Sequence, residues 1–166
     1  MTLRVLGIDP GTAVTGYGVV EPAAGRPGHL IECGVIRTHP KQDLWRRLDE
    51  LYDGVRALIE RHRPTVLALE SIFYAKNVRT TVTLGHARGV ILLAAAQADL
   101  DVAEFPPATV KKSVVGVGGA TKEQVGYMVQ QLLNLKEPPS PNDAADGVAV
   151  GLTYLLTRRG AQAQTR

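Results

Sequence analysis

Cysteine is nearly absent from this 166-residue chain: there is one, Cys33. A lone cysteine cannot close an intrachain disulfide. With no cysteine or histidine at zinc-ligand spacing around it, a structural zinc site is excluded, and Cys33 reads as a reduced packing residue. Long apolar runs are missing as well. The longest, residues 90–96, is too short to span a bilayer, and residues 1–4 lead into a first apolar strand without the h-region of a signal peptide; the expectation is a cytoplasmic protein with no membrane partner. No strong charge excess is present either. A net charge of +3 and an isoelectric point of about 9.2 suit a polyanionic partner without requiring one. Repeats and linker-like stretches are also lacking, so the chain is expected to form one domain over residues 1–159, with a flexible tail at 160–166. Its 45% hydrophobic content is enough for a single core.

What is present starts with residues 3–11, Leu-Arg-Val-Leu-Gly-Ile-Asp-Pro-Gly, an apolar strand that ends in a carboxylate and a tight turn. Burying a lone carboxylate costs several kcal/mol unless a cation, a proton or hydrogen bonds compensate it. Asp9 therefore either caps its own turn through the amides of Gly11 and Thr12, or meets a partner elsewhere. The same pattern returns at residues 65–70, which end in Glu70. Between them lie two strand patterns, 15–20 and 29–38, separated by a Pro/Gly-rich turn at 22–28, and then a helical pattern over 43–62 stopped by Pro64. After Glu70 come a polar loop with an aromatic pair, a helix over about 80–98 rich in small residues, and a strand at 101–105 closed by Pro106 and Pro107. A short helical turn with Lys111 and Lys112 and a glycine-rich loop at 116–119 follow. Thr121 then opens a helix with Gln124 at capping-box spacing. The last helix is expected to begin at Ser140-Pro141, with proline in its first position, and to run past Asp143 and Asp146 to about Arg158. This order, β-β-β-α-β-α-β-α-α, predicts an α/β fold with a five-stranded mixed sheet flanked by helices.

Strands lying side by side in such a sheet bring Asp9 and Glu70 to one edge. Asp143 and Asp146, three residues apart, project from one helix face and can reach the same crevice. Four carboxylates so close repel by roughly kcal/mol amounts per pair, which is tolerable mainly with divalent cations between them. Oxygen-only ligands select Mg²⁺ or Mn²⁺, and two ions about 3.5–4 Å apart suit phosphoryl chemistry. Structural readings stand beside this one. Asp143 lies three residues after Ser140, as in a capping box, and Glu70 can pair with a neighbouring cation. Asp146 sits beyond the first turn among Ala144, Ala145, Val148 and Val150, where an unpaired acid is out of place.

The motifs together resemble the RuvC family of bacterial Holliday-junction resolvases. Gly7-Ile8-Asp9-Pro10-Gly11-Thr12 precedes Thr15-Gly16-Tyr17-Gly18-Val19. Glu70 is followed by Phe73, Ala75-Lys76-Asn77, Leu84-Gly85 and Ala87-Arg88-Gly89. Val110-Lys111, Val114-Val115-Gly116 with Gly118, and Asp143-Ala144-Ala145-Asp146 complete the match nearly end to end. The resemblance implies an RNase H-like fold and a crossover-junction endodeoxyribonuclease, with Asp9, Glu70, Asp143 and Asp146 as metal-binding catalytic acids. That overrides the capping reading of Asp143. It further implies two Mg²⁺ per subunit, or Mn²⁺, and a homodimer that makes paired symmetric nicks in four-way junction DNA during recombination and repair. RuvA and RuvB are implied as branch-migration partners. Lys111 and Lys122 match family lysines near the scissile phosphate. Phe73 matches an aromatic that stacks on a junction base, with Tyr74, Lys76, Asn77, Arg79 and Lys112 as further DNA contacts. The helix over 80–98 is the expected dimer surface through Gly85, Ala87, Gly89 and residues 94–96, against the alternative that these pack on their own sheet. Competing readings are an RNase H-like nuclease acting on RNA, a junction-binding module without catalysis, and an actin-like ATPase, for which a single domain is too small. Residues 116–119 are not a Walker A loop, since Thr121 stands before Lys122 where that motif has glycine.

Overall fold

The computed structural model describes residues 2–71 and 77–164. Its strands and helices follow in the order β1 (Val5–Asp9), β2 (Val14–Ala23), β3 (Arg26–Arg37), α1 (Leu44–His62), β4 (Val66–Glu70), α2 (Val78–Gln97), β5 (Asp101–Phe105), α3 (Pro107–Val115), α4 (Lys122–Leu133) and α5 (Asn142–Gln164). The strands form one mixed sheet in the order β3-β2-β1-β4-β5. β1 pairs antiparallel with β2 and parallel with β4, so both of its flanks are covered and the strand can be apolar on both faces.

The period-2 alternation of β1 divides the core. Leu6 and Ile8 point to a cluster with Leu51, Val55 and Leu58 of α1 and Ala87, Ile91 and Ala95 of α2. Val5 points to the other face, where Val110, Val125, Val129, Val148 and Leu152 from α3, α4 and α5 pack. Gly7 and Asp9 share that second face. A Cβ on Gly7 would overlap Gly147 and Gly151, and one on Gly16 would overlap the carbonyl oxygen of Asp143. Missing side chains on both sides thus let the α5 backbone rest directly on β1 and β2, and this lowers the start of α5 onto the edge where Asp9 ends β1.

Several boundaries differ from the sequence expectation. The Pro/Gly-rich segment at 22–28 is mostly strand: β2 and β3 extend through it to a tight turn at Ala24 and Gly25, with Gly25 at φ +73°. Proline is accommodated because the register slips between Glu21 and Ala23, leaving Pro22, Pro27 and Gly28 unpaired, and because β3 is an edge strand. Pro141 precedes α5 rather than opening it, and its carbonyl accepts from Ala144 N–H at 2.9 Å. α5 also runs beyond Arg158 into the expected tail, to Gln164. Ala161 and Ala163 favour helix after Gly160, and Arg159 donates to the Ala23 carbonyl at 2.7 Å, tying that end to the β2–β3 turn. The Thr121 capping box is formed in both directions, by Gln124 N–H to Thr121 Oγ1 at 3.2 Å and Thr121 N–H to Gln124 Oε1 at 2.8 Å.

α2 separates its small residues between two faces. Ala87, Ala94 and Ala95 are buried in the chain's own core, whereas Gly85 and Gly89 face open space and Val78, Val82 and Leu93 are exposed. Among the described residues no helix is long and apolar enough to cross a membrane.

Candidate active site

β1 and β4 run parallel and end at the same edge, which places Asp9 and Glu70 side by side. α5, seated on β1 and β2 by the glycine contacts, starts at that edge and adds Asp143 and Asp146. One carboxylate oxygen from each of Asp9, Asp143 and Asp146 lies within 4.8 Å of the others. Glu70 shares a side-chain hydrogen bond with Asp9 and lines the same cleft. The cleft holds about 210 Å³ and is completed by Lys111, Lys122, Pro107, Val110, Val125 and Ala149.

The electrostatics follow from this crowding. Burial, then the hydrogen bond and charge of Glu70, push the Asp9 carboxyl up to about 9, with Lys122 opposing and Asp143 adding to the rise. Burial and the charge of Asp9 also raise Asp146 above the usual carboxylate range, against the pull of Lys122. Lys122 answers in kind. Its Nζ lies 3.2 Å from Asp146 Oδ2 and 3.8 Å from Asp143 Oδ1, and Asp146, followed by burial working the other way and the remaining acids, holds its proton more tightly than an ordinary lysine does. Where no cation beyond Lys122 is present, burial and the neighbouring Glu70 thus favour the protonated form of the Asp9 carboxyl. An oxygen-only donor set that must retain a proton and recruit a lysine to coexist is suited to hard divalent cations.

The loop after Asp9 is braced locally: Thr15, fully buried, donates from Oγ1 to the Gly11 carbonyl at 2.7 Å and accepts from Gly11 N–H at 3.2 Å. Lys111 lies on the cleft wall, and its neighbour Lys112 is exposed in the last turn of α3. Asn77 caps α2, its Oδ1 accepting from Arg79 N–H at 2.9 Å, and Arg79 is exposed beside it. Phe73, Tyr74 and Lys76, expected at the DNA, lie outside the described residues. Sequence reading gave no role to Arg88, whose guanidinium reaches the main chain of Glu70. The signal was there in a charged residue between Ala87, which is buried, and Gly89, close to the apolar half of α2 from Val90 to Ala96.

The family model described as crossover junction endodeoxyribonuclease RuvC matches residues 5–154. The chain belongs to the RuvC family. A RuvC named crossover junction endodeoxyribonuclease, from Pelotomaculum thermopropionicum, is 51% identical over 152 residues, 92% of each chain. The Thermus thermophilus RuvC structure matches with a TM-score of 0.85 at 34% identity, over 96% of this chain and 97% of that one. T. thermophilus RuvC in complex with Holliday junction substrate gives 0.86 at 31%, over 95% and 96%. The mixed sheet with helices on both faces is thus the RNase H-like fold of the RuvC family, as the sequence motifs implied.

Proposed function

We propose that this chain resolves four-way DNA junctions by metal-dependent hydrolysis of opposed strands, with Asp9, Glu70, Asp143 and Asp146 holding the metal. The observation that carries the proposal is the convergence of three carboxylate oxygens within 4.8 Å in an open cleft walled by two lysines. Held by these four acids, two divalent cations per subunit, Mg²⁺ or Mn²⁺, would supply an activated water and neutralise charge at the scissile phosphate. The chain's own residues do the rest. Asp9 would hold a cation in its deprotonated form. Lys122, beside Asp146 and Asp143, and Lys111 on the cleft wall stand where their ammonium groups offset negative charge on a phosphate. Val110, Val125 and Ala149 give the cleft an apolar side facing the acids.

Paired cuts require paired sites. The exposed α2 face, with Val82 and Leu93 flanking the open glycines Gly85 and Gly89, is the surface we assign to a homodimer, whose two-fold axis would match that of a junction. Phe73, Tyr74 and Lys76, with Asn77, Arg79 and Lys112, supply the DNA contacts in this reading. A cytoplasmic setting with RuvA and RuvB completes it. The test is a time course of end-labelled four-way junction, linear duplex and RNA–DNA hybrid, each with Mg²⁺ or Mn²⁺. Symmetric nicks in the junction alone are expected. Junction binding without cleavage in either metal would leave a binding module, and preferential cutting of the hybrid would make the chain an RNA-directed nuclease.

A further inference from the structure

The parallel ladder between β1 and β4 stops one residue early. Its register runs from Val5 with Val66 to Ile8 with Leu69, and Val66 N–H donates to the Arg4 carbonyl at 3.3 Å. In a parallel ladder the residues of β4 that face β1 alternate, so after Val66 and Ala68 the next is Glu70. The donor due to the Glu70 carbonyl is the main-chain nitrogen of Pro10, which carries no hydrogen. The last carbonyl of β4, on a residue that faces the acid cluster, is therefore left without its ladder partner.

Arg88 fills the gap from α2. Its Nη1 donates to the Glu70 carbonyl at 2.7 Å, and its Nη2 donates to the Glu104 carboxylate on the neighbouring strand β5. The Arg88 side chain is 15% exposed, so its arm to the Glu70 carbonyl is largely shielded from water, while the Glu104 carboxylate that receives the other arm is 45% exposed. On the other flank, Ser71 N–H donates to the Phe105 carbonyl at 2.8 Å. Glu70 is thus fixed on the β5 side by the ladder and on the β1 side by a side chain from α2.

We propose that Arg88 is a positioning residue for the active site: it replaces the ladder hydrogen bond that Pro10 cannot give, holds the Glu70 main chain, and so sets where the Glu70 carboxylate meets Asp9. The proposal rests on the reading of Glu70 as one of four metal-holding acids. It also links α2, the helix assigned to the dimer, to one acid of the site through a single side chain.

The experiment is Mn²⁺ binding to the full-length protein by isothermal titration without DNA, alongside junction-cleavage kinetics, for the wild type, Arg88→Ala and Arg88→Ala combined with Pro10→Ala. Arg88→Ala is expected to weaken Mn²⁺ binding and lower kcat by about 10–100-fold, as loss of a group that orients a metal ligand does, with KM for the junction within about twofold. Restoring a main-chain N–H at position 10 is expected to recover part of the Mn²⁺ affinity. Unchanged Mn²⁺ affinity in Arg88→Ala overturns the proposal. So does a double variant that binds Mn²⁺ no better than Arg88→Ala, or a parallel loss of melting temperature, junction affinity and Mn²⁺ affinity, which marks a general folding role. Should the wild type bind Mn²⁺ but cut no junction, the nuclease reading fails while the Mn²⁺ titrations still decide the role of Arg88.

Discussion

Lys122 Nζ lies 3.2 Å from Asp146 Oδ2, so an ammonium from the first residue of α4 sits against an acid from the second turn of α5. The pair sets a positive charge against the half-buried Asp146 carboxylate. Asp146→Asn is expected to preserve junction affinity and slow nicking by about a hundredfold or more, since losing a ligand costs at least as much as losing its supporting shell. Gel-shift affinity and initial nicking rates measured on the same preparation check it. Equal loss of both would indicate misfolding instead of a lost ligand.

Metal binding should be strongly pH-dependent. With Asp9 pushed up to about 9, the metal-free site holds a proton that a ligand must release. Apparent Mn²⁺ affinity is therefore expected to rise by about tenfold per pH unit below pH 9, and to lose most of that slope in Asp9→Asn. Titration in two buffers of different ionisation enthalpy counts the protons released.

The same shift acts on the stability of the metal-free protein. A carboxyl held above its unfolded value contributes most below that value, near 3.8, and its contribution drains away as pH rises towards 9. Asp9→Asn should consequently stabilise the metal-free protein at pH 8 and have little effect near pH 4. Urea midpoints at the two pH values in chelator test this.

A second network behaves with the opposite sign. Burial alone would raise Glu32, but the Tyr17 hydroxyl at 2.8 Å, His62 at 3.2 Å and Arg61 at 3.1 Å together hold it below the usual carboxylate range. Its contribution is present above its unfolded value of 4.5 and is lost as pH falls through the lower folded value. Glu32→Gln is expected to cost about 1–2 kcal/mol at pH 7 and to approach the wild type near pH 3, read from denaturant unfolding.

Two glycine substitutions should move stability in opposite directions. Gly16→Ala drives a Cβ into the Asp143 carbonyl and is expected to cost about 2 kcal/mol or more and to abolish cleavage by lifting α5 from the sheet. Gly126→Ala, inside α4 with open space around it, is expected to add about 0.5–1 kcal/mol and leave cleavage intact. Melting curves and nicking rates of both variants decide the matter.

The acids were legible in sequence because a carboxylate at the end of an apolar run stands out locally. Asp9 and Glu70 each close such a run, and their meeting follows once the strands are neighbours. Asp146 stood out for the same reason within an apolar helix face. The Thr121 box is local too, and it formed as its spacing indicated. What escaped reading depends on distant backbone. The prolines at 22 and 27 signal a turn by propensity, and only edge position and a slipped register make them strand. Gly7, Gly16, Gly147 and Gly151 look like scattered small residues until α5 is laid on the sheet. The role of Arg88 needs both the β1–β4 register and the missing hydrogen of Pro10, neither of which neighbours it in sequence.

The strand ends have one more effect. β5 finishes at the edge that gathers the acids, and α3 begins directly after it, with its first residue, Pro107, lining the cleft and no acidic residue in its first turn. α3 thereby brings its positive macrodipole end, worth roughly half an elementary charge, to the cleft that gathers the acids. Attraction for a phosphate backbone at that edge is thus built partly from peptide dipoles, which appear in no count of lysines and arginines. A chain with a net charge of only +3 can in this way present a locally electropositive rim around a cluster of carboxylates.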